Sequence, residues 1–178
     1  MKIESRQLGE IVVLQPKVWE DERGFFVETF RADVFEELGL PTRWLQDNHS
    51  RSSRGVLRGL HFQPEPAMSK LMRVTAGTAW LVAVDIRKDS PTLGQWYGRE
   101  VSAENKLQIW TPPDFARGFC VLSEYAEIQY KCTAIYNPAG EAAIRWDDPE
   151  IGIAWPVNDP ILSARDAAAQ SLAEWLES

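Results

Sequence analysis

The sequence predicts an all-β domain, a sandwich or a barrel, with short helices near its edges. Short runs of alternating apolar and polar residues dominate from residue 55 onward, and turn residues separate them at close spacing. Apolar residues at helical spacing occur only near the two ends of the chain, which argues against a parallel α/β sheet. The chain has 178 residues. We therefore predict a single domain over residues 1–178, long enough to bury a substantial core.

The first half of the chain alternates extended runs with one helix. The opening run "GEIVVLQPKVW" is typical of a strand, and "DERGFFVETF" indicates a turn followed by a strand. In "ADVFEELGL" the apolar spacing predicts a short helix that ends at Gly39, before Pro41. The run "KLMRVTAGTAWLVAVDIR" predicts two strands that form a hairpin about Ala76 and Gly77.

The second half continues the strand pattern and ends in a helix. Strands are predicted in "LGQWYGREVS" and in "NKLQIWTPPDFARGFCVLS", which bends at Pro112 and Pro113. The stretch "AEIQYKCTAIYNPAGEAAIRW" predicts a strand, a turn and another strand, and "DDPEIGIAWP" predicts a loop. The tail "SARDAAAQSLAEWLES" predicts a helix with Ser163 as its N-cap and with Leu172 and Leu176 on one face.

Composition limits the classes of function. The net charge of −7 and the pI near 4.9 argue against a nucleic-acid partner, although a local basic cleft can still bind a small phosphorylated ligand. No apolar run is long enough to span a bilayer, and "MKIESRQLGEIVVL" carries charges where a signal peptide has its apolar segment. We expect no membrane association and a cytoplasmic location. Cys120 and Cys132 lie in apolar runs and are predicted to be buried thiols.

The stretch "RGVLRGLHFQPEPAMSK" places His61, one of only two histidines, among the cations Arg54, Arg58 and Lys70. An isolated histidine is more often structural, but cations around a single proton-transfer group are also typical of an anion site. Strict alternation along a strand would put Arg58 and His61 on opposite faces. A bulge at Gly59 would restore them to one side.

Other residues allow acid–base chemistry without proving it. Asp166 could orient the imidazole of His61, or could simply complement the dipole of its own helix. Tyr130 could be a buried hydroxyl with a hydrogen-bond partner, or an acid. Because His49 and His61 are the only histidines and do not form an H-x-H pair, no metal site is predicted. The absence of G-x-S-x-G, P-loop and G-x-G-x-x-G motifs gives hydrolase and dinucleotide-binding functions no support.

Beyond single residues, a series of motifs resembles the nucleotide-sugar 3,5-epimerases typified by dTDP-4-dehydrorhamnose 3,5-epimerase. In chain order they are "DERGFFVETF", "QDNHSRSSRGVLRGLHFQ", "KLMRV", "VAVDIRKDSPTLGQW", "SAEN", "YKCT", "WDDPEIGIAWP" and "LSARD". The resemblance implies a cupin-type double-stranded β-helix (jelly roll) that works as a homodimer without a metal or other cofactor. The implied substrate is a dTDP-linked 4-keto-6-deoxyhexose, inverted at C3 and C5 through an enolate in rhamnose-type deoxysugar biosynthesis.

The resemblance also implies roles for individual residues. His61 resembles the base and Asp166 its support, Tyr130 resembles the opposing acid, and Lys70 resembles the lysine that stabilises the enolate oxygen. Arg58 resembles an arginine near the sugar and the diphosphate, and Tyr136 an aromatic residue that stacks on thymine. The remaining positions similar to ligand-contacting residues of the family are Arg23, Glu28, Gln46, Asp47, Asn48, Glu141 and Arg165, the last standing where lysine is common.

One departure from the family leaves the function open. Where the family usually reads "FAHGF" this chain reads "FARGF", so Arg117, a permanent cation that cannot shuttle protons near neutral pH, replaces a histidine. Arg117 could contact the sugar or a phosphate in an intact 3,5-epimerase. Alternatively the protein could be a C3-only epimerase of a related sugar, or a sugar-nucleotide-binding homologue with impaired catalysis. The presence of His61, Asp166, Tyr130 and Lys70 favours catalysis.

Overall fold

The computed structural model describes residues 1–177, which form two antiparallel sheets and a separate two-stranded hairpin. The strands are β1 Lys2–Gln7, β2 Ile11–Gln15, β3 Val18–Asp21, β4 Gly24–Val27, β5 Gln46–Ser53, β6 Leu57–Phe62, β7 Lys70–Ala76, β8 Thr78–Asp85, β9 Trp96–Ser102, β10 Gln108–Thr111, β11 Phe115–Val121, β12 Tyr125–Cys132 and β13 Ala142–Ala143. The helices are α1 Ala32–Glu37, α2 Ala164–Ala167 and α3 Leu172–Glu177. The prediction of an all-β fold with short peripheral helices is confirmed.

Strand order shows how the chain passes between the two sheets. The six-stranded sheet has the order β1-β2-β10-β7-β12-β5, and the five-stranded sheet has the order β13-β6-β11-β8-β9. Strands that follow one another in sequence, such as β6 and β7 or β10 and β11, belong to different sheets. This repeated crossing winds the chain around a common interior, which is the cupin-type jelly roll.

The interior between the sheets is filled by apolar side chains from both. Ile11, Val74 and Ile128 project from the six-stranded sheet and meet Leu81 and Phe115 from the five-stranded sheet in one buried cluster. Alternation along each strand sends every second residue inward. Burial of this apolar surface holds the two sheets together.

The outer face of each sheet is covered by a helix. Phe35 of α1 packs with Val12, Leu14 and Leu71 on the six-stranded sheet. The α3 segment lies on the five-stranded sheet, where Leu172 joins a second buried cluster and the ring of Trp175 contacts Phe62 at 4.7 Å between centroids, edge to face. Such aromatic contacts fix the orientation of the helix as well as burying area.

Two local predictions were wrong. The two strands on either side of Gly77 exist, but β7 and β8 belong to different sheets and form no hairpin. Gly77 has a φ of +72°, and a side chain there would collide with the carbonyl oxygen of Tyr125, so the glycine serves a crossover between sheets. The predicted tail helix is two helices, because a second cap at Ser171, which exchanges hydrogen bonds with Glu174, starts α3.

Other predictions agree with the structure. Helix α1 stops before Gly39, which has a φ of +69°, and Ser163 caps α2 by accepting a hydrogen bond from the amide of Asp166 at 3.1 Å. Cys120 and Cys132 are free and buried. None of the helices within residues 1–177 has the length and apolar character needed to cross a bilayer.

Candidate active site

A cavity of about 260 Å³ opens into the interior of the barrel and is lined by charged and hydroxyl-bearing side chains. Arg58 and His61 reach it from β6, Arg117 from β11, Lys70 from β7 and Tyr130 from β12. The first three belong to the five-stranded sheet and the last two to the six-stranded sheet. A ligand in this cavity would therefore be contacted from both sheets at once.

A bulge in β6 brings Arg58 and His61 to the same cavity. Arg117 of β11 pairs with His61, while the next pair along β11, two residues further on, is Phe119 with Arg58, three residues back on β6. The extra residue in β6 is the bulge that would bring Arg58 and His61 to one side, so that prediction is confirmed. Gly59 in this segment has a φ of +140°, and a Cβ there would lie 2.5 Å from a backbone carbon of β11. Only glycine fits this close approach.

His61 is held by a buried carboxylate. Its Nε2 lies 2.5 Å from Oδ1 of Asp166, and Asp166 is 3% exposed in the first turn of α2. Burial raises the pKa of Asp166, but the hydrogen bond and charge of His61, the hydrogen bond with Ser163 and the charge of Arg165 together outweigh it, so the pKa lies below its usual value. The ionised carboxylate retains the proton on Nε2, which leaves Nδ1 as the basic nitrogen of the imidazole. Asp166 also lies where it complements the helix dipole, so both readings of this residue hold.

Tyr130 and Lys70 lie on adjacent strands of the opposite sheet. The Lys70 ammonium is 5.2 Å from the centre of the Tyr130 ring. Burial raises the pKa of Tyr130, so the phenol stays protonated near neutral pH and can donate its proton. Burial, with a further contribution from the charge of Arg117, lowers the pKa of Lys70 to about 8. Lys70 is thus still charged at neutral pH.

Arg117 is almost completely buried and points inward. Its Nε donates to the hydroxyl of Thr111, and its Nη2 donates to the carbonyl oxygens of Met68, at 2.8 Å, and of Pro112. Its Nη1 has no hydrogen-bond partner, and no carboxylate within residues 1–177 forms an ion pair with it. Burial lowers the pKa of Arg117 to about 10, which leaves it charged at neutral pH.

A second group of predicted residues forms the rim of the cavity. The Tyr136 hydroxyl donates to Glu141 at 3.0 Å, and Arg165 forms an ion pair with the same carboxylate. Gln46 accepts a hydrogen bond from the Tyr136 amide at 2.8 Å and donates to Asn48 at 3.0 Å. Strand β5, the loop between β12 and β13, and helix α2 therefore meet at this edge, where Tyr136 remains nearly half exposed.

Six predicted residues do not line this cavity: Asp166 and Gln46 bond to lining residues and Asn48 bonds to Gln46, whereas Asp47, Arg23 and Glu28 lie elsewhere. Asp47 alternates with its neighbours on β5 and points away from the interior, where it pairs with Lys131 at 2.9 Å. Arg23 lies at the exposed tip of the β3–β4 hairpin and pairs with Asp21. Glu28 follows the same hairpin. Within one chain, the structure separates these three from His61.

The cavity also contains residues that the sequence reasoning missed. Ser50, Met72 and Phe119 contribute to its wall. Met72 and Phe119 could have been found, because each stands two residues beyond a predicted site residue, Lys70 and Arg117, on the same strand face. Ser50 could have been found in the same way, because it stands two residues beyond the predicted site residue Asn48 on β5.

The side chains that could act as metal ligands are scattered over the described part of the chain. Within residues 1–177, no three side chains of the types His, Cys, Asp and Glu cluster closely enough to hold a metal ion. His49 lies outside the cavity and pairs with Glu127 at 3.0 Å. A metal-independent mechanism stays a prediction.

The chain is similar to proteins of known function along nearly its whole length. The family model described as dTDP-4-dehydrorhamnose 3,5-epimerase matches residues 5–174. The protein of that name from Salmonella typhimurium is 54% identical over 168 residues, which cover 93% of this chain and 92% of the relative. The one from Pseudomonas aeruginosa is 49% identical over 176 residues, with 98% and 97% covered.

The fold of this chain is also similar to that of a solved crystal structure. The dTDP-6-deoxy-D-glucose-3,5-epimerase of Legionella pneumophila, crystallised with dTDP-4-keto-L-rhamnose, superposes with a TM-score of 0.93 at 49% identity. The match covers 97% of this chain and 93% of that one. Both the sequence and the fold are therefore similar to those of 3,5-epimerases along nearly their whole length.

Proposed function

The chain belongs to the dTDP-4-dehydrorhamnose 3,5-epimerase family, and from that premise we propose that it inverts C3 and C5 of a dTDP-linked 4-keto-6-deoxyhexose. One observation carries the proposal. His61, with Asp166 behind it, and Tyr130 line one cavity but belong to different sheets. A sugar ring between the sheets would have a base on one face and an acid on the other, which is what inversion at carbon requires.

The proposed chemistry starts with the acidity of hydrogens next to a ketone. Nδ1 of His61 takes the proton from the carbon beside the C4 carbonyl, the C–H electrons form a carbon–carbon double bond, and the carbonyl electrons move onto oxygen. Tyr130 then protonates the same carbon from the opposite face, and the carbonyl re-forms. Asp166 stabilises the imidazolium that exists between these steps, because it remains ionised beside Nε2.

Lys70 is proposed to stabilise the enolate oxygen. A cation in a partly desolvated cavity stabilises charge that develops there far more than it would in water. Because a proton leaves and another returns with no net oxidation, the reaction needs no redox cofactor, and we propose that Lys70 supplies the positive charge that a metal would otherwise provide. We propose a cytoplasmic location for the enzyme, in keeping with two free, buried cysteines.

The size of the cavity indicates which part of the substrate it can hold. At about 260 Å³ it lies just below the roughly 300–1,000 Å³ typical of sites for drug-sized ligands. It therefore suits the hexose, and the dTDP part would extend over the rim. We propose that Arg58 and Arg165 contact the diphosphate and that the exposed ring of Tyr136 stacks on thymine. Gln46, Asn48 and Glu141 support that surface through their bonds around Tyr136.

The hairpin of β3 and β4 supports the proposal of a homodimer. It exposes Trp19, Phe25 and Phe26 at 45%, 59% and 66%, more aromatic surface than a short hairpin usually leaves in water. Docking on a second copy would cover it, and could bring Arg23 and Glu28 to the nucleotide in the partner's site. Sedimentation analysis tests this: a species of one chain mass at micromolar concentration would contradict it.

The experiment that tests the activity is proton exchange in deuterated water. The protein is incubated with dTDP-4-keto-6-deoxyglucose, and the sugar is examined by NMR for deuterium at C3 and at C5. We expect label at both carbons, with formation of the 4-keto-rhamnose product. Label at C3 alone would replace the proposal with the narrower 3-epimerase. No label in protein shown to bind the substrate would leave only a binding function.

A further inference from the structure

Two apolar side chains line a cavity that is otherwise polar. Among the lining residues within positions 1–177, only Met72 and Phe119 have side chains without a nitrogen or oxygen atom, apart from Gly118, which has no side chain. Every other lining residue carries a charge, a hydroxyl group or an imidazole. A ligand in this cavity therefore meets one apolar region, and an apolar part of the ligand would be stabilised there.

Met72 and Phe119 remain partly accessible although both belong to the apolar cluster between the sheets. They are 7% and 6% exposed, whereas every other buried member of that cluster is at most 4% exposed. Each follows a cavity-lining cation by two residues on the same face of its strand, Lys70 on β7 and Arg117 on β11. The accessible part of each side chain therefore faces the cavity.

The two side chains belong to different sheets and neighbour the proposed acid and base. Met72 on β7 is directly paired with Tyr130 on β12, so their side chains leave the six-stranded sheet side by side. Phe119 stands on β11 of the five-stranded sheet, which pairs with His61 through Arg117. An apolar ligand group bonded to the reacting carbon would thus lie between Met72 and Phe119.

The proposed substrate carries one apolar group at the corresponding place. A 4-keto-6-deoxyhexose has a single exocyclic carbon without oxygen, the C6 methyl group, and this carbon is bonded directly to C5. C5 is one of the two carbons that the proposed reaction inverts, so it must lie between His61 and Tyr130. C6 is one bond away from it, next to the apolar part of the wall.

Inversion at C5 also moves the methyl group from one sheet towards the other. Before the reaction the C5 hydrogen points to His61, so C6 is inclined towards the six-stranded sheet and Met72. After protonation by Tyr130 the new hydrogen points to that sheet, and C6 is inclined towards the five-stranded sheet and Phe119. The unbranched side chain of Met72 can adjust as the methyl group moves.

We propose that Met72 and Phe119 form a pocket for the C6 methyl group and make the protein selective for 6-deoxy sugars over hexoses with a C6 hydroxyl. The inference rests on the proposed function and deepens it by naming the side chains that select the substrate. A hydroxyl group between these two side chains would lose hydrogen bonds to water and gain none from either. An apolar pocket of this kind rejects an added hydroxyl by about 10²-fold.

The test compares two sugar nucleotides that differ in one oxygen atom, dTDP-4-keto-6-deoxyglucose and dTDP-4-ketoglucose. The value of kcat/KM for each is measured by deuterium exchange at C3. We expect wild-type protein to prefer the 6-deoxy sugar by about 10²-fold. Met72→Gln supplies a hydrogen-bond partner and should reduce this preference by about tenfold or more. Met72→Leu, which stays apolar at a similar volume, should keep it within about threefold.

Val74→Thr is the matched control. Val74 lies two residues beyond Met72 on the same face of β7, in the apolar cluster but outside the cavity. The added hydroxyl should lower stability and leave the preference between the two sugars unchanged. If Val74→Thr reduces the preference as much as Met72→Gln does, the effect is a general one of a weakened barrel and the inference is overturned.

The outcomes separate this inference from the proposed function. If wild-type protein exchanges deuterium into neither sugar, the proposed function fails and the inference fails with it. If the two sugars have kcat/KM values within about threefold of each other in wild-type protein, the proposed function stands and only the inference is overturned. A preference that Met72→Gln leaves unchanged also overturns it, because the selection would then lie elsewhere.

The role of Phe119 is tested by comparing exchange at the two reacting carbons. Phe119→Leu should slow exchange at C5 of the 6-deoxy sugar more than exchange at C3, because only inversion at C5 moves C6 towards Phe119. A purely structural role would slow exchange at both carbons alike. Equal slowing would therefore remove Phe119 from the pocket.

A structural measurement keeps the inference testable if Met72→Gln does not fold. In a crystal structure of His61→Ala with dTDP-4-keto-6-deoxyglucose bound, C6 should lie within about 4.5 Å of the Met72 side chain, the limit for an apolar contact. If C6 contacts only polar side chains or open solvent, the inference is wrong.

Discussion

The interior of the barrel has two regions built by the same strands with opposite chemistry. On β7, Lys70 faces the cavity while Val74 enters the apolar cluster between the sheets, and on β12 Tyr130 and Ile128 divide in the same way. Strand geometry is identical in both regions. What differs is the set of neighbouring side chains: polar and charged groups line the cavity, whereas only apolar groups surround Val74 and Ile128.

The polar region carries a cost in folding free energy, and the apolar region offsets it. Lys70 and Arg117 are cations in a buried setting, and the pKa of each is lowered by burial. Such lowering means that the folded state disfavours the charged form. The apolar cluster supplies the stability that allows these charges to be held in place for a ligand.

The largest effect should come from removing the base in the polar region. His61→Ala should slow deuterium exchange by about 10³–10⁴-fold, the upper part of the range for acid–base catalysis, while the dissociation constant of dTDP stays within about twofold. His49→Ala is the matched control, since His49 is the other histidine and lies outside the cavity. Exchange at the wild-type rate in His61→Ala would remove His61 from the mechanism.

The next largest effect should come from a substitution in the apolar region, which should lower stability and leave the reaction unchanged. Leu81 is 3% exposed in the apolar cluster, so Leu81→Ala should lower the free energy of unfolding by about 2–5 kcal/mol. The folded fraction should still exchange deuterium at a rate close to that of wild-type protein. Leu45→Ala, at a side chain 42% exposed, should cost much less. Urea unfolding measures both, and equal losses would show that Leu81 in the apolar cluster stabilises the fold no more than an exposed leucine does.

The smallest effect should be an increase in the free energy of unfolding, where Leu81→Ala gives a decrease. Lys70→Met should raise the free energy of unfolding at pH 7 by about 2–3 kcal/mol, because a pKa lowered from 10.5 to about 8 records that order of penalty for the charged form. Exchange of deuterium should be strongly reduced in the same variant. Lys88→Met, on the surface, should change stability by less than about 0.5 kcal/mol.

The pH dependence of this variant follows from the direction of the shift. Between pH 8 and 10.5 the unfolded chain keeps a proton on Lys70 that the folded chain has released. The stability of wild-type protein should therefore rise with pH across that window, and the advantage of Lys70→Met should shrink. Activity should fall over the same window, because neutral Lys70 no longer stabilises an enolate. A constant difference in unfolding free energy from pH 7 to 10 would contradict the assignment.

Much of the site could be predicted because strand alternation is a local property. Of the stretch "RGVLRGLHFQPEPAMSK", Arg58 and His61 lie in β6 and Lys70 in β7, while Arg54 lies in the turn before β6. The bulge at Gly59 that would bring Arg58 and His61 together follows from counting residues. The contact between Asp166 and His61 could not be predicted by counting, since 105 residues separate them. Nor could the crossing at Gly77, because the same glycine signal serves a hairpin and a change of sheet.

By itself the sequence determined the all-β class, the positions of most strands, the family, and which side chains could move a proton. These depend on local periodicity and on residue chemistry, and both can be read from residues that are neighbours in the sequence. Tertiary structure alone decided that His61 and Tyr130 stand on opposite sheets of one cavity, that Asp47 points away from it, and that Arg117 keeps one donor free. Each of those depends on how distant strands pair and which carbonyl oxygens they bring to a side chain, and no local pattern encodes that.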